Sequence, residues 1–139
     1  DVYKRQIHYL RRCHSTFDNC PWLREAWPNP VYINASDAAE LGIKTGDTVL
    51  ISTKTAQALR KASVMQSMMP GVVSIPHGAW VNVDEETGID RSGADNYLLG
   101  NEMSGSGVTP YNNINCKIEK YDGPALEEDC LTDKRILSL

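Results

Sequence analysis

Apolar and polar positions alternate most cleanly near the end of the chain, where Ile114, Cys116 and Ile118 fall on one side and Asn115, Lys117 and Glu119 on the other. A period of two is that of a half-buried strand. Val31-Tyr32-Ile33 reads as a shorter strand of β-branched and aromatic residues, and 48–53 as another, with Val49 and Ile51 sharing a face. Val72-Val73-Ser74-Ile75 is almost continuously apolar, as expected of a central strand covered on both faces. Residues 54–57 predict a hairpin turn into a strand over 58–65, although Leu59 and Ala62 fit neither period.

One short helix is predicted after the first of these strands. Asn34 stands at its N-cap, Asp37 lies in the first turn, and Ala38-Ala39-Glu40-Leu41 are helix formers. Gly42 ends it, because a left-handed C′ conformation costs glycine little. Lys44-Thr45-Gly46-Asp47 and Met69-Pro70-Gly71 are turns. Residues 7–27 show no clean period and read as an ordered loop with short extended or helical pieces, closed by Pro28-Asn29-Pro30. A polar stretch runs from His77-Gly78-Ala79-Trp80 to Asp95, and residues 100–113 are rich in Gly, Ser and Asn. Several short strands, one short helix and two long polar loops predict a mainly β fold, a small barrel with long connections. Such loops supply a binding surface on a rigid scaffold. Residues 1–10 are unassigned, since Asp1 to Gln6 match no recognised pattern. Residues 122–139 read as an acidic tail ending in Ile136-Leu137-Ser138-Leu139, which would dock outside this segment.

Composition narrows the function classes. A chain of 139 residues suits one domain with a single core. Its net charge of −4, with scattered Lys and Arg, argues against a nucleic-acid partner. No apolar run approaches the roughly 18 residues that span a bilayer. No secretory signal is readable either, and Arg11-Arg12 is followed by polar and aromatic residues rather than an export signal. The location is unreadable from this segment. Cys13, Cys20, Cys116 and Cys130 contain no C-x-x-C spacing, and His8, His14 and His77 complete no zinc pattern. Iron–sulfur clusters need more regular thiolate spacing. The cysteines are read as buried or inert thiols, with a Cys13–Cys20 disulfide left open. His77 has no visible acid–base partner. From the residues alone the chain is a β-rich domain with polar binding loops and no catalytic constellation.

Three segments carry a resemblance. The first is Arg11-Arg12-Cys13-His14-Ser15-Thr16-Phe17-Asp18-Asn19, followed by Pro21-Trp22-Leu23-Arg24-Glu25. The second is Val31-Tyr32-Ile33-Asn34, through Asp37-Ala38, Gly42-Ile43 and Gly46-Asp47 to Val49. The third is Met69-Pro70-Gly71-Val72-Val73 to His77-Gly78-Ala79-Trp80, continuing to Asp95-Asn96-Tyr97-Leu98 and closing on Ile118-Glu119-Lys120-Tyr121. Together, over residues 11–121, they resemble the molybdopterin-dinucleotide-binding domain at the C-terminus of dimethyl sulfoxide reductase-like subunits. The middle segment is common to many barrels, whereas the His-Ser-Thr-Phe-Asp-Asn opening combined with the Gly-Ala-Trp loop is specific.

The resemblance implies a double-psi β-barrel and a bis(molybdopterin guanine dinucleotide) molybdenum cofactor. His14, Ser15, Thr16, Asn19, Trp80, Asn96 and Asn112 are the implied cofactor-binding residues. Asn112 stands where the family often carries Gln or another amide. Read without the resemblance, His14-Ser15-Thr16 is a polar loop, Trp80 a core residue and Asn96 a turn cap. Neutral donors and acceptors on Gly-rich loops suit a ligand rich in hydrogen-bonding groups without placing carboxylates beside phosphate. The metal's protein ligand and any iron–sulfur cluster would lie outside this segment, which would carry no catalytic residue and no metal ligand. The remaining domains of the same subunit are the implied partner, and an iron–sulfur electron-transfer subunit a further one, with no membrane insertion. The isolated chain is expected to be inactive, although family members serve anaerobic respiration and are often exported. Catechol dehydroxylases and transhydroxylases share this domain with S- and N-oxide reductases. A cofactor-free double-psi barrel acting as an interaction module is the rival from another class, separated from the first by an open reading frame running upstream.

Overall fold

Seven strands form where β-branched and apolar residues repeat, and most of them join one ring. The computed structural model describes residues 2–100, 103, 105–109 and 111–126. The strands are β1 (Val2–Ile7), β2 (Pro30–Asn34), β3 (Thr48–Ser52), β4 (Gln57–Met65), β5 (Val72–Pro76), β6 (Ile89–Asp90) and β7 (Ile114–Lys120). They hydrogen-bond in the order β2-β5-β1-β7-β3-β4-β6, and β2 also pairs with β4. That last pairing closes β2, β5, β1, β7, β3 and β4 into a six-stranded barrel. The outer edge of β4 is shared: its first residues, Gln57 and Ala58, pair with β6, and Lys61 to Met65 pair with β2.

The ring mixes directions. β1 runs parallel to β5 and β2 parallel to β4, while β1–β7, β2–β5, β3–β4 and β3–β7 are antiparallel. Inward-facing Val31, Ile33, Val49, Ile51, Val73, Ile75, Cys116 and Ile118 fill the interior, each no more than 4% exposed. Burying side chains of this size contributes about 1.5–3 kcal/mol apiece for the larger ones.

The helix at Asn34 forms as its residues dictate. Helix α2 (Ala35–Glu40) follows Asn34, whose side chain accepts from the Ser36 N–H at 2.7 Å. Gly42 takes φ +67 beyond it. A second short helix, α1 (Pro21–Ala26), and a 3₁₀ turn (Asp95–Leu98) lie within stretches read from sequence as irregular.

Two expectations change. Val2–Ile7, left unassigned, is a full strand between β5 and β7. Its alternation is hidden because Lys4 is one of its inward residues, at 0% exposure, where the period calls for an apolar side chain. In β4, Ala58, Leu59 and Arg60 are buried in succession, which is why no single period fits. Cys13, Cys20 and Cys116 are free thiols. Cys130 and the apolar ending at residues 136–139 lie outside the described residues.

Candidate functional site

β1 and β5 are parallel and finish together, with Ile7 opposite Pro76. The loops leaving these two strands, together with the 3₁₀ turn, gather at this end of the barrel. Their arrangement is fixed by charged groups inside it.

Arg60 is 1% exposed. It donates from Nε to the Gly93 carbonyl at 2.7 Å, from Nη1 to Pro30 O at 3.0 Å and from Nη2 to Pro76 O at 2.8 Å. One guanidinium thus ties the start of β2, the end of β5 and the loop before the 3₁₀ turn. Burial and the nearby Arg12 push its pKa down to about 9, so it remains charged at neutral pH. Gly93 is required beside it, because a Cβ there would overlap the Arg60 side chain.

Arg12, also buried, reaches His77 O at 2.7 Å, Asp18 Oδ1 at 2.7 Å and Asn29 Oδ1 at 2.6 Å. Asp18 accepts from Arg11 at 3.1 Å as well, and its Oδ2 accepts from the Trp80 backbone N–H at 3.0 Å. Removing one partner from such a buried, hydrogen-bonded set leaves an uncompensated charge, at a cost of about 3–5 kcal/mol. The loop from Arg11 to Asp18 is therefore fastened to the strap His77–Trp80 along its length. The Trp80 indole N–H closes the fastening by donating to Ser15 O at 2.9 Å.

Gly78 marks the closest approach. Its φ is +89, and a Cβ on it would overlap the His14 carbonyl oxygen. Its N–H donates to Asp95 Oδ1 at 2.8 Å. The other oxygen of Asp95, a residue with 0% exposure, accepts from the Gln6 side-chain amide. Gln6 in turn meets Asn96 Oδ1 at 3.4 Å and donates its backbone N–H to Asn112 Oδ1 at 2.8 Å. His14 and Phe17 hold left-handed backbone angles, φ +51 and +73, uncommon outside glycine.

All seven sequence-derived candidates are exposed. His14, Ser15 and Thr16 share one loop; Trp80 lies across it; Asn96 and Asn112 meet at Gln6; and all connect through Gly78 and Asp95. Asn19 stands further out, with Trp80, on the wall of a cavity of about 670 Å³. Arg24, Lys61 and Arg91 line the same cavity. Asp18 and Glu25 also line it, contrary to the expectation of a site without carboxylates. The two arginines on Asp18 account for that residue's presence. Sequence reasoning missed Gln6, Arg12, Asp18, Arg60 and Asp95 as the frame of the site. The only signals were a charge interrupting an apolar run at Arg60 and the paired Arg11-Arg12.

His77 lies between His8 and His14, with ring centroids 4.7 and 5.5 Å away, both edge-on. Among the described residues no group of three or more His, Cys, Asp or Glu is placed to hold a metal ion. No helix of the described residues is long and apolar enough to cross a membrane.

Residues 5–115 match the family described as "Molydopterin dinucleotide binding domain". The chain is 36% identical over 99 residues to the probable dimethyl sulfoxide reductase chain YnfF of Escherichia coli (strain K12), covering 70% of this chain and 12% of that protein. It is 38% identical over 92 residues to dimethyl sulfoxide reductase DmsA of the same organism, covering 66% and 11%. To trimethylamine-N-oxide reductase 1, also from Escherichia coli (strain K12), it is 30% identical over 132 residues, covering 88% and 15%. The chain thus spans only 11–15% of the length of these relatives. Among solved structures, acetylene hydratase from Pelobacter acetylenicus superposes with a TM-score of 0.72 at 20% identity, covering 86% of this chain and 18% of that one. At that identity the likeness is one of fold.

Proposed function

Because this chain belongs to the molybdopterin-dinucleotide-binding domain family, we propose that it is the cofactor-holding domain of a larger molybdenum oxidoreductase. Its own part is to bind and orient. The observation that carries the reading is the convergence of the His14–Thr16 loop, Trp80, Asn96 and Asn112 about Gly78, beside the cavity.

The residues fit a pterin dinucleotide on three counts. The candidates are exposed and mostly neutral hydrogen-bonding groups, as the edges of pterin and guanine require. Gly78 keeps the strap and the His14 loop in backbone contact, a cradle that any side chain would fill. Arg24, Lys61 and Arg91 on the cavity wall suit a pyrophosphate, since charge-assisted hydrogen bonds are about twice as strong as neutral ones.

In this reading His14, Ser15, Thr16 and Asn19 hold one side of the dinucleotide, with Trp80 beside them, and Asn96 and Asn112 the other. The cofactor is bis(molybdopterin guanine dinucleotide) molybdenum, and when bound it supplies the electron or oxygen-atom transfer. No residue of this chain is assigned a catalytic role. Arg12, Asp18 and Asp95 keep the binding loops in place before the ligand arrives, which lowers the ordering cost of binding. The parallel pairings β1–β5 and β2–β4, each between strands distant in sequence, support a double-psi barrel. The names of the relatives support reduction of an S- or N-oxide by the whole subunit, and in this reading that reduction serves anaerobic respiration. The remaining domains of that subunit and an iron–sulfur electron-transfer subunit are its partners.

The test is cofactor content in the whole subunit. A neutral hydrogen bond is worth about 0.5–1.5 kcal/mol and one to a charged group about 1.5–3. Ser15→Ala or Asn96→Ala alone should weaken binding by roughly 2- to 100-fold, and the pair more. We expect the folded double variant to lose pterin and molybdenum on dialysis while Asn115→Ala, at an exposed outer position of β7, retains both. A double variant that keeps its full complement would show the site to be elsewhere.

A further inference from the structure

His77 is held from both sides of its backbone. Its N–H donates to Ile7 O at 3.1 Å, and its carbonyl accepts from Arg12 Nε at 2.7 Å. Its ring packs edge-on against two others, at interplanar angles of 80° with His8 and 81° with His14. The three histidines of the chain, two from the connection after β1 and one from that after β5, thus meet at one point beside Gly78. His77 Nε2 is buried with no hydrogen-bond partner among the described residues. A buried polar atom left unpaired costs about 1–3 kcal/mol and calls for an explanation in function. A metal does not provide one, since the groups are not placed to hold it.

We infer that His77 is a positioning residue for the site: its ring braces those of His8 and His14, and so holds the His14–Thr16 loop against the strap. The brace exists only while the His77 ring is uncharged. Burial lowers the pKa of His77, and His8, His14 and Arg12 add to the lowering, with Asp95 alone opposing it. A depressed basic pKa means that the closed arrangement binds fewer protons than an open one. The brace is therefore intact above the ordinary histidine value of about 6.5 and is lost as the pH falls below it. A proton taken up by His77 would put a cation against both neighbouring rings, 4.7 and 5.5 Å away, and beside Arg12. The His14 loop is then released from Gly78, and the grip on the dinucleotide becomes pH-dependent.

The test separates the brace from a merely bulky residue. Trp80 reports on the loop directly, because its indole N–H donates to Ser15 O. In this chain we expect a change in tryptophan emission with a midpoint below about pH 6.5, absent in Trp80→Phe. His77→Phe keeps an aromatic brace and has no proton to gain. It should therefore abolish the transition and hold the loop closed at pH 5.5. His77→Ala should leave the loop open at both pH values. The second measurement uses the whole subunit and rests on the function proposed above. Pterin release, read by its fluorescence after dialysis, should be about 3- to 10-fold faster at pH 5.5 than at pH 7.5 in wild type, equivalent to about 0.7–1.4 kcal/mol. It should be pH-independent in His77→Phe. An emission transition that persists unchanged in folded His77→Phe would overturn the inference, as would pH-dependent release in that variant. Wild-type subunit without pterin at any pH would overturn the proposed function instead, leaving the emission result to stand alone.

Discussion

At Gly78 two backbone segments approach so closely that a methyl group has no room, and the left-handed φ of +89 compounds the problem. Gly46 offers a natural comparison, with φ +92 and nothing within 4 Å of where its Cβ would lie. Gly46→Ala should cost about 1–2 kcal/mol from the backbone angle alone. Gly78→Ala carries the same strain and must also move the His14 loop, so its unfolding free energy in urea titrations should fall further, by at least another ~1 kcal/mol. Equal costs would mean that the loop is not where it is described. At this scale the sequence was legible only in part. The loops bearing His14, Ser15, Thr16 and Asn96 could be read as polar connections, and family resemblance supplied the individual candidates. The charged frame stayed hidden because a buried charge is recognisable only through its partner. Arg60 finds its carbonyls at Pro30, Pro76 and Gly93, and Gly78 finds Asp95, across separations that no local pattern encodes.

Elements differed in how openly they announced themselves. β7 and α2 could be read from local chemistry, since strand alternation and the Asn34 cap act over a few residues. β1 could not, because Lys4 occupies an inward position and its ammonium is buried without a hydrogen-bond partner among the described residues. Burial lowers the Lys4 pKa to about 8, against an ordinary 10.5, with Asp95 opposing the shift and Arg60 adding to it. Between these values the unfolded chain binds the extra proton, so stability rises with pH from about 8. Cys116 acts in the opposite sense: burial raises its pKa from 9.0 to about 11, and stability falls with pH once the unfolded thiol ionises near 9. Urea midpoints should therefore climb from pH 8 to 9 and level off above it. Lys4→Met should remove the climb and stabilise the chain at pH 7 by about 1–3 kcal/mol. A Lys4→Met chain no more stable than wild type would show that the ammonium has found solvent or a partner.

The whole molecule is a closed ring with its polar loops gathered at one end. Purified alone, the chain should give no turnover with reduced methyl viologen and dimethyl sulfoxide above a no-protein control. Measurable turnover would show that a reaction centre lies within these residues and would end the reading as a holding domain. Architecture at this scale followed from short strands separated by long loops, which predicts a barrel; the closure did not, because it depends on β1. That strand has consequences in time as well as space. As the chain is made, β1 emerges before either neighbour, and Val2 finds Cys116 only after most of the described sequence has been added. Pairings between such distant residues are slow to form, since the entropy of closing a long loop is lost before any contact compensates it. Gln6, which joins Asp95, Asn96 and Asn112, sits on this late-pairing strand. On the function proposed above, completion of the binding face waits for this slow pairing, so a half-made chain offers a ligand no complete foothold.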